Sequence, residues 1–110
     1  MKKVKIMLDF LAGPIWKDKL DEETFESITG IYCIDNDKIL QDINTEIQNM
    51  YSSYYHFNDN MQSFWFDEEQ EKKDKEKILQ LLNKLKMRLS DINDGTYFVE
   101  DYETERISNL

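Results

Sequence analysis

Apolar and polar residues alternate at the start of the chain, where Val4, Ile6 and Leu8 are separated by Lys3, Lys5, Met7 and Asp9. A period of two puts one set of side chains on one face of an extended backbone, so residues 2–10 are predicted to form a strand. Gly13-Pro14 breaks the pattern, and Ile15 and Trp16 follow as an apolar anchor for a loop. Residues 21–29 allow a short helix with acids in its first turn, where the helix dipole favours them, closed by Gly30. Ile31-Tyr32-Cys33-Ile34 is a short apolar run that reads as a strand or a buried loop.

The period then lengthens. Ile39, Ile43, Ile47, Met50, Tyr54 and Phe57 recur every three or four residues, one stripe of a helix over residues 37–55. Asp35 or Asn36 is placed to cap it by accepting from unpaired backbone N–H groups. Asn58-Asp59-Asn60 is turn chemistry, and the aromatic stretch 62–66 reads as a short strand. A second long helix is expected from Asp67, which with Gln70 imitates a capping box. Residues 68–77 contain no apolar side chain, so this half is expected to project into solvent. Its Glu68–Lys72, Glu69–Lys73 and Glu71–Lys75 pairs add only about 0.2–0.5 kcal/mol each.

From Ile78 a stripe of Leu81, Leu82, Leu85, Leu89 and Ile92 marks the half that packs, and Asn93-Asp94-Gly95 ends it. Thr96-Tyr97-Phe98-Val99 opens a last strand, expected to run on through residue 105 and to leave residues 107–110 frayed. Two striped helices need a flat apolar partner. The expectation is one α+β domain over residues 1–110: a small sheet from the N- and C-terminal strands, with residues 64–66 added, packed against two long amphipathic helices.

Composition narrows the function. The 110 residues are 40% hydrophobic and 34% charged, with a net charge of −9. No run of eighteen apolar residues exists, and the basic start has too short an apolar run for a signal peptide. The single cysteine, Cys33, cannot form an internal disulfide and fits a reducing, cytoplasmic setting. Acids outnumber bases 23 to 14. Outside the first five residues and the stretch 67–88, the bases are Lys17, Lys19, Lys38 and Arg106 alone. Such a surface repels nucleic acid and anionic membranes and attracts basic proteins.

Candidate chemistry is sparse. His56 is the only histidine and stands among Tyr54, Tyr55 and Phe57, with no cysteine–histidine signature around Cys33. One histidine and one cysteine do not make a closed zinc site. Asp35-Asn36-Asp37 and Asp91-Ile92-Asn93-Asp94-Gly95 do not keep the register of a calcium loop, and Gly13, Gly30 and Gly95 are too isolated for a phosphate loop. No catalytic residue, metal or cofactor is expected. What remains is aromatics beside acids. Tyr97, Phe98 and Tyr102 adjoin Glu100, Asp101, Glu103 and Glu105. An edge strand with acids on both faces suits a basic partner, and tyrosine supplies contact area at low entropy cost. The expected docking surface is therefore Glu100, Asp101, Tyr102, Glu103 and Glu105, with Asp35 and Asp37 as a second site.

Lys5-Ile6-Met7-Leu8-Asp9-Phe10, followed by Gly13-Pro14-Ile15-Trp16, resembles the start of a family of small acidic bacterial immunity proteins. Members open with a Lys-Ile-Met-x-Asp-aromatic strand and an x-Pro-aliphatic-Trp element, and some belong to contact-dependent growth inhibition or related polymorphic toxin systems. The resemblance covers about twelve residues, and Leu11-Ala12 departs from other members. It implies a protein without catalytic residues, a monomer when free, that binds a basic toxin domain such as a ribonuclease and blocks it. From composition alone, an acidic adaptor or regulator of another basic protein stands as the alternative.

Overall fold

The computed structural model describes residues 2–17, 29–57 and 64–110. The helix expected over residues 21–29 lies, except for Thr29, outside the described residues, as does the turn at Asn58-Asp59-Asn60. In chain order the elements are β1 (Lys2–Ile6), β2 (Ile15–Lys17), α1 (Tyr32–Asp35), α2 (Lys38–Ser52), β3 (Tyr55–Phe57), β4 (Phe64–Phe66), α3 (Glu68–Lys73), α4 (Lys75–Asp91), β5 (Tyr97–Asp101) and α5 (Thr104–Ser108). The architecture is α+β, as the pattern predicts.

The sheet has the order β2-β1-β5. β1 runs antiparallel to β2, with Ile6 opposite Ile15, and parallel to β5, with Val4 opposite Val99. Residues in register share a face. Val4, Ile6, Ile15 and Tyr97 are buried on the helix side. Lys3, Lys5, Trp16, Phe98 and Glu100 lie on the other. Against the inner face pack Leu40, Ile43 and Ile47 of α2 and Ile78, Leu81, Leu82, Leu85 and Leu89 of α4. No helix among the described residues is long and apolar enough to cross a membrane.

Several expectations are corrected. Ile15 and Trp16 form a strand, because Gly13-Pro14 turns the chain back on β1. The Met7 N–H donates to the Pro14 carbonyl at 2.9 Å, and the Trp16 indole N–H to the Met7 carbonyl at 3.0 Å. Gly13 is required there, since a Cβ on it would stand 2.1 Å from Nδ2 of buried Asn44, whose Oδ1 accepts from the Ile15 N–H. Residues 32–35 are a helical turn. Asp35 accepts from the Thr29 and Gly30 N–H groups and the Thr29 hydroxyl, which curls the chain. The stripe of α2 keeps Ile43 and Ile47 inside but starts from Leu40 rather than Ile39, which is 55% exposed, and the helix ends at Ser52. Phe64–Phe66 pairs with Tyr55–Phe57 in a separate two-stranded ribbon and does not join the sheet.

The long C-terminal helix is broken at Asp74, which accepts from the Tyr54 hydroxyl at 2.7 Å and from Gln70 Nε2 at 3.1 Å. Its polar half does not simply project, because Glu71 is 2% exposed. The chain leaves the sheet after Asp101 and forms α5, where Ile107 is fully buried, so residues 104–105 are helical and residue 107 is core. Leu110 packs against the core as well.

Candidate functional site

The carboxylates expected to face a partner from the last strand are mostly turned to the fold. Asp101 accepts from the backbone N–H of Glu103 and Thr104 at 2.9 and 3.0 Å, accepts from the Thr104 hydroxyl, and pairs with Lys86 Nζ at 3.0 Å. Burial alone would raise this carboxyl. The Thr104 hydroxyl and amide, with the other donors, outweigh that and bring its pKa down to about 2. Glu103 is buried, with Oε1 accepting from the Leu8 N–H at 2.9 Å and Oε2 from Arg106 Nε at 2.6 Å. The guanidinium then reaches Glu71 with its two terminal nitrogens, at 3.2 and 3.3 Å. One arginine thus bridges two buried carboxylates on separate elements, the geometry in which guanidinium–carboxylate pairing is strongest. α5 exists at the C-terminus because these bonds hold it.

Glu100 and Tyr102 stay at the surface, on the outer side of the sheet. The Tyr102 hydroxyl donates to Glu100, which also lies 3.6 Å from Lys3 Nζ, and the Tyr102 bond holds its carboxyl below the usual range. Glu105 is exposed on α5. At the second expected site both carboxylates bond within the fold. Asp37, rather than Asp35 or Asn36, caps α2 by accepting from the Leu40 N–H at 2.8 Å. It also receives two bonds from Arg88, at 2.6 and 2.9 Å, which tie α2 to α4 and lower its pKa. Asp35 closes the loop before α1. Of the seven residues, the structure gathers Glu100, Asp101, Tyr102 and Glu103 around the end of β5, while Asp35 and Asp37 hold helix starts elsewhere.

A different group of aromatics reaches the surface. Tyr54 and Phe66 pack inward, and Tyr51 and Tyr55 meet Phe66 at 5.4 and 5.0 Å between ring centroids. The outer half of the ribbon has no such cover: Phe64 is 66% and Trp65 55% exposed, and Phe57 is exposed as well. Trp65 lies 5.4 Å from the His56 ring, whose Nε2 is 3.1 Å from Asp67. On the opposite face Phe10, from the turn after β1, sits 4.8 Å from Tyr55 and 5.6 Å from Phe57. Phe64 closes the group, 6.3 Å from Tyr55 and 6.0 Å from Phe57. Together with Asp9 these four rings line an open cleft of about 360 Å³. Asp9 is exposed, and its Oδ1 accepts from the Phe10 N–H at 2.7 Å.

The turn carrying Asp9 and Phe10 is held firmly. Leu11 has φ +57°, unusual for a branched apolar residue. Its N–H donates to Ser52 Oγ at 2.9 Å, and its carbonyl accepts from Gln48 Nε2 at 3.1 Å. Sequence reading marks the ribbon aromatics but not their meeting with Asp9 and Phe10, which lie 45 or more positions away from Tyr55. The one hint is that Phe10 is an aromatic placed where a strand gives way to a turn. Among the described residues no group of three or more His, Cys, Asp or Glu is arranged to hold a metal ion. Comparison with protein-family models, with curated proteins and with solved structures found no match.

Proposed function

We propose that this chain is an immunity-type inhibitor: a cytoplasmic monomer that docks on a basic toxin domain, a nuclease acting on RNA, and neutralises it by contact. The observation that carries the reading is the set of large aromatics left on the surface of a chain with net charge −9. Phe57 and Phe64 are exposed on one face of the ribbon, lining a cleft that contains a carboxylate, and Trp65 is exposed on the other face. Aromatic residues dominate the energetic centres of protein interfaces, because a rigid ring buries much area with little loss of freedom. The negative field does a separate task. It steers a positively charged partner and raises the association rate, toward about 10⁸ M⁻¹s⁻¹ at low salt in favourable cases. The resemblance of the opening motif to immunity proteins supports the same reading. In that motif Ile6, Gly13, Ile15 and Trp16 serve the fold, which leaves Asp9 and Phe10 at the surface.

The test starts from the reading frame beside the gene. Its toxin domain, purified and mixed with this chain, is expected to form a complex and lose its nuclease activity. Association should slow about tenfold or more between low and high salt. The double variant Glu100→Lys/Glu105→Lys, which leaves the Asp101, Glu103 and Arg106 bonds in place, should slow association while changing dissociation little. Association indifferent to salt, or a neighbouring toxin that is neither bound nor inhibited, overturns the reading. A complex with a basic protein that is no toxin would assign the chain to the adaptor class.

A further inference from the structure

The cleft beside the ribbon has the composition of a cation-binding box. Phe10, Tyr55, Phe64 and Phe57 follow one another in a closed circuit of centroid distances, 4.8, 6.3, 6.0 and 5.6 Å. The planes are tilted by 39–49° from one ring to the next, so the rings meet as walls rather than as a flat stack. Among the described residues the lining holds a single charged group, the Asp9 carboxylate, and no lysine, arginine or histidine. An aromatic face is negative at its centre and attracts a cation within about 6 Å, more strongly when water is partly excluded. A site lined by four such rings and one carboxylate favours positive charge.

The box is also built in advance. Its Tyr55 wall is backed by Tyr51 and Phe66, a cluster that continues into the core through Tyr54. Its Asp9–Phe10 wall is pinned by the two bonds at Leu11. Preorganisation of this kind removes part of the ordering cost of binding.

We propose that this cleft receives an arginine side chain from the protein partner. The proposal rests on the reading of the chain as a docking protein for a basic partner, and it names the recognition event. Arginine fits better than lysine on chemical grounds. Its flat guanidinium stacks on ring faces, is weakly hydrated, and forms paired hydrogen bonds to a carboxylate. Lysine is a compact, strongly hydrated charge that gives up more solvation on entering an aromatic site.

The experiment is an NMR titration of the free protein with N-acetyl-arginine amide, N-acetyl-lysine amide and the neutral isostere N-acetyl-citrulline amide. The arginine compound is expected to move the ring signals of Phe10, Tyr55, Phe57 and Phe64 saturably, with a dissociation constant on the order of millimolar. Citrulline should bind at least about tenfold more weakly, since only the charge is lost. Asp9→Asn should weaken arginine about tenfold, and Phe64→Ala should abolish its shifts. Phe98→Ala, on the outer face of the sheet, should change neither. Equal binding of citrulline or lysine, or shifts centred on residues outside the cleft, overturns the proposal. If arginine binds as expected but no toxin is inhibited, the cleft stands and the functional reading falls. If a salt-sensitive toxin complex is untouched by Asp9→Asn and Phe64→Ala, the functional reading stands and the cleft falls.

Discussion

The end of β5 and the turn after β1 both place carboxylates beside aromatic rings, and the fold uses them in opposite ways. Around β5, Asp101 and Glu103 bond to amides, a hydroxyl, Lys86 and Arg106, and they hold α5 against the body of the molecule. Beside the ribbon, Asp9 makes one bond to its neighbour's N–H, and the rings around it include some of the most exposed aromatics of the described chain. The difference is one of donors within reach. A carboxylate next to a helix start or an arginine is absorbed into structure, because unpaired helix N–H groups need an acceptor and a guanidinium within reach forms charge-assisted bonds to it. Asp9, next to phenyl rings, meets only the Phe10 N–H among the described residues, and its other oxygen remains available to a partner.

The largest expected effect lies in the first region. Arg106→Ala leaves Glu71 and Glu103 buried with like charge and no cation, and should cost about 2–3 kcal/mol, read as a fall in the urea midpoint at pH 7. Adding Glu71→Gln should restore part of the loss. An Arg106→Ala protein as stable as the parent would mean that these acids do not hold the fold.

Gly13→Ala tests the base of the second region. The new methyl displaces Asn44 from the Ile15 N–H, and a loss of about 1–2 kcal/mol is expected in the same assay. Asn44→Ala combined with it should be less than additive, since both changes remove one contact.

Asp101 gives the pH dependence. Its folded pKa, about 2, lies below the ordinary 3.8, so it contributes stability that is fully present above about pH 4 and is lost as the pH falls through 2. Asp101→Asn should therefore cost about 1 kcal/mol at pH 7, a figure reduced for its partial contact with solvent, and the gap to the parent should close near pH 2. The smallest effect on stability is expected in the cleft. Phe64→Ala should shift the urea midpoint by less than about 0.5 kcal/mol equivalent, while it removes arginine binding. A large loss of stability there would place Phe64 in the core and erase the contrast between the two regions.

Much of the fold is legible in the sequence where the pattern is periodic. The alternation at Val4 and Ile6, the stripe from Ile78 to Leu89 and the turn at Asn93-Asp94-Gly95 all appear where the residue types place them. The failures fall where a side-chain partner that the period does not show decides, whether near or far along the chain. The polar half of the second helix looks solvated until Arg106, 35 positions away, takes Glu71 inside. Residues 102–105 look extended until the Asp101 side chain offers its oxygens to the next turn. For the candidate site, the sequence marks the ribbon aromatics and the acidic stretch near residue 100, but it does not show which acids have donors. The expected docking acids Asp101, Glu103, Asp35 and Asp37 serve the fold, while Asp9 was not singled out.

By itself the sequence determined the element types along most of the chain, the acidic charge and the single layer of helices over a small sheet. Each of these depends on composition or on a period of one helical turn or two strand residues, which neighbours along the chain can enforce. Only the tertiary structure decided which charges are buried and which rings stay outside. Those outcomes depend on pairs far apart in sequence, Arg106 with Glu71, Arg88 with Asp37 and Phe10 with Tyr55, and the free energy of a charge or a ring changes most when such a partner arrives.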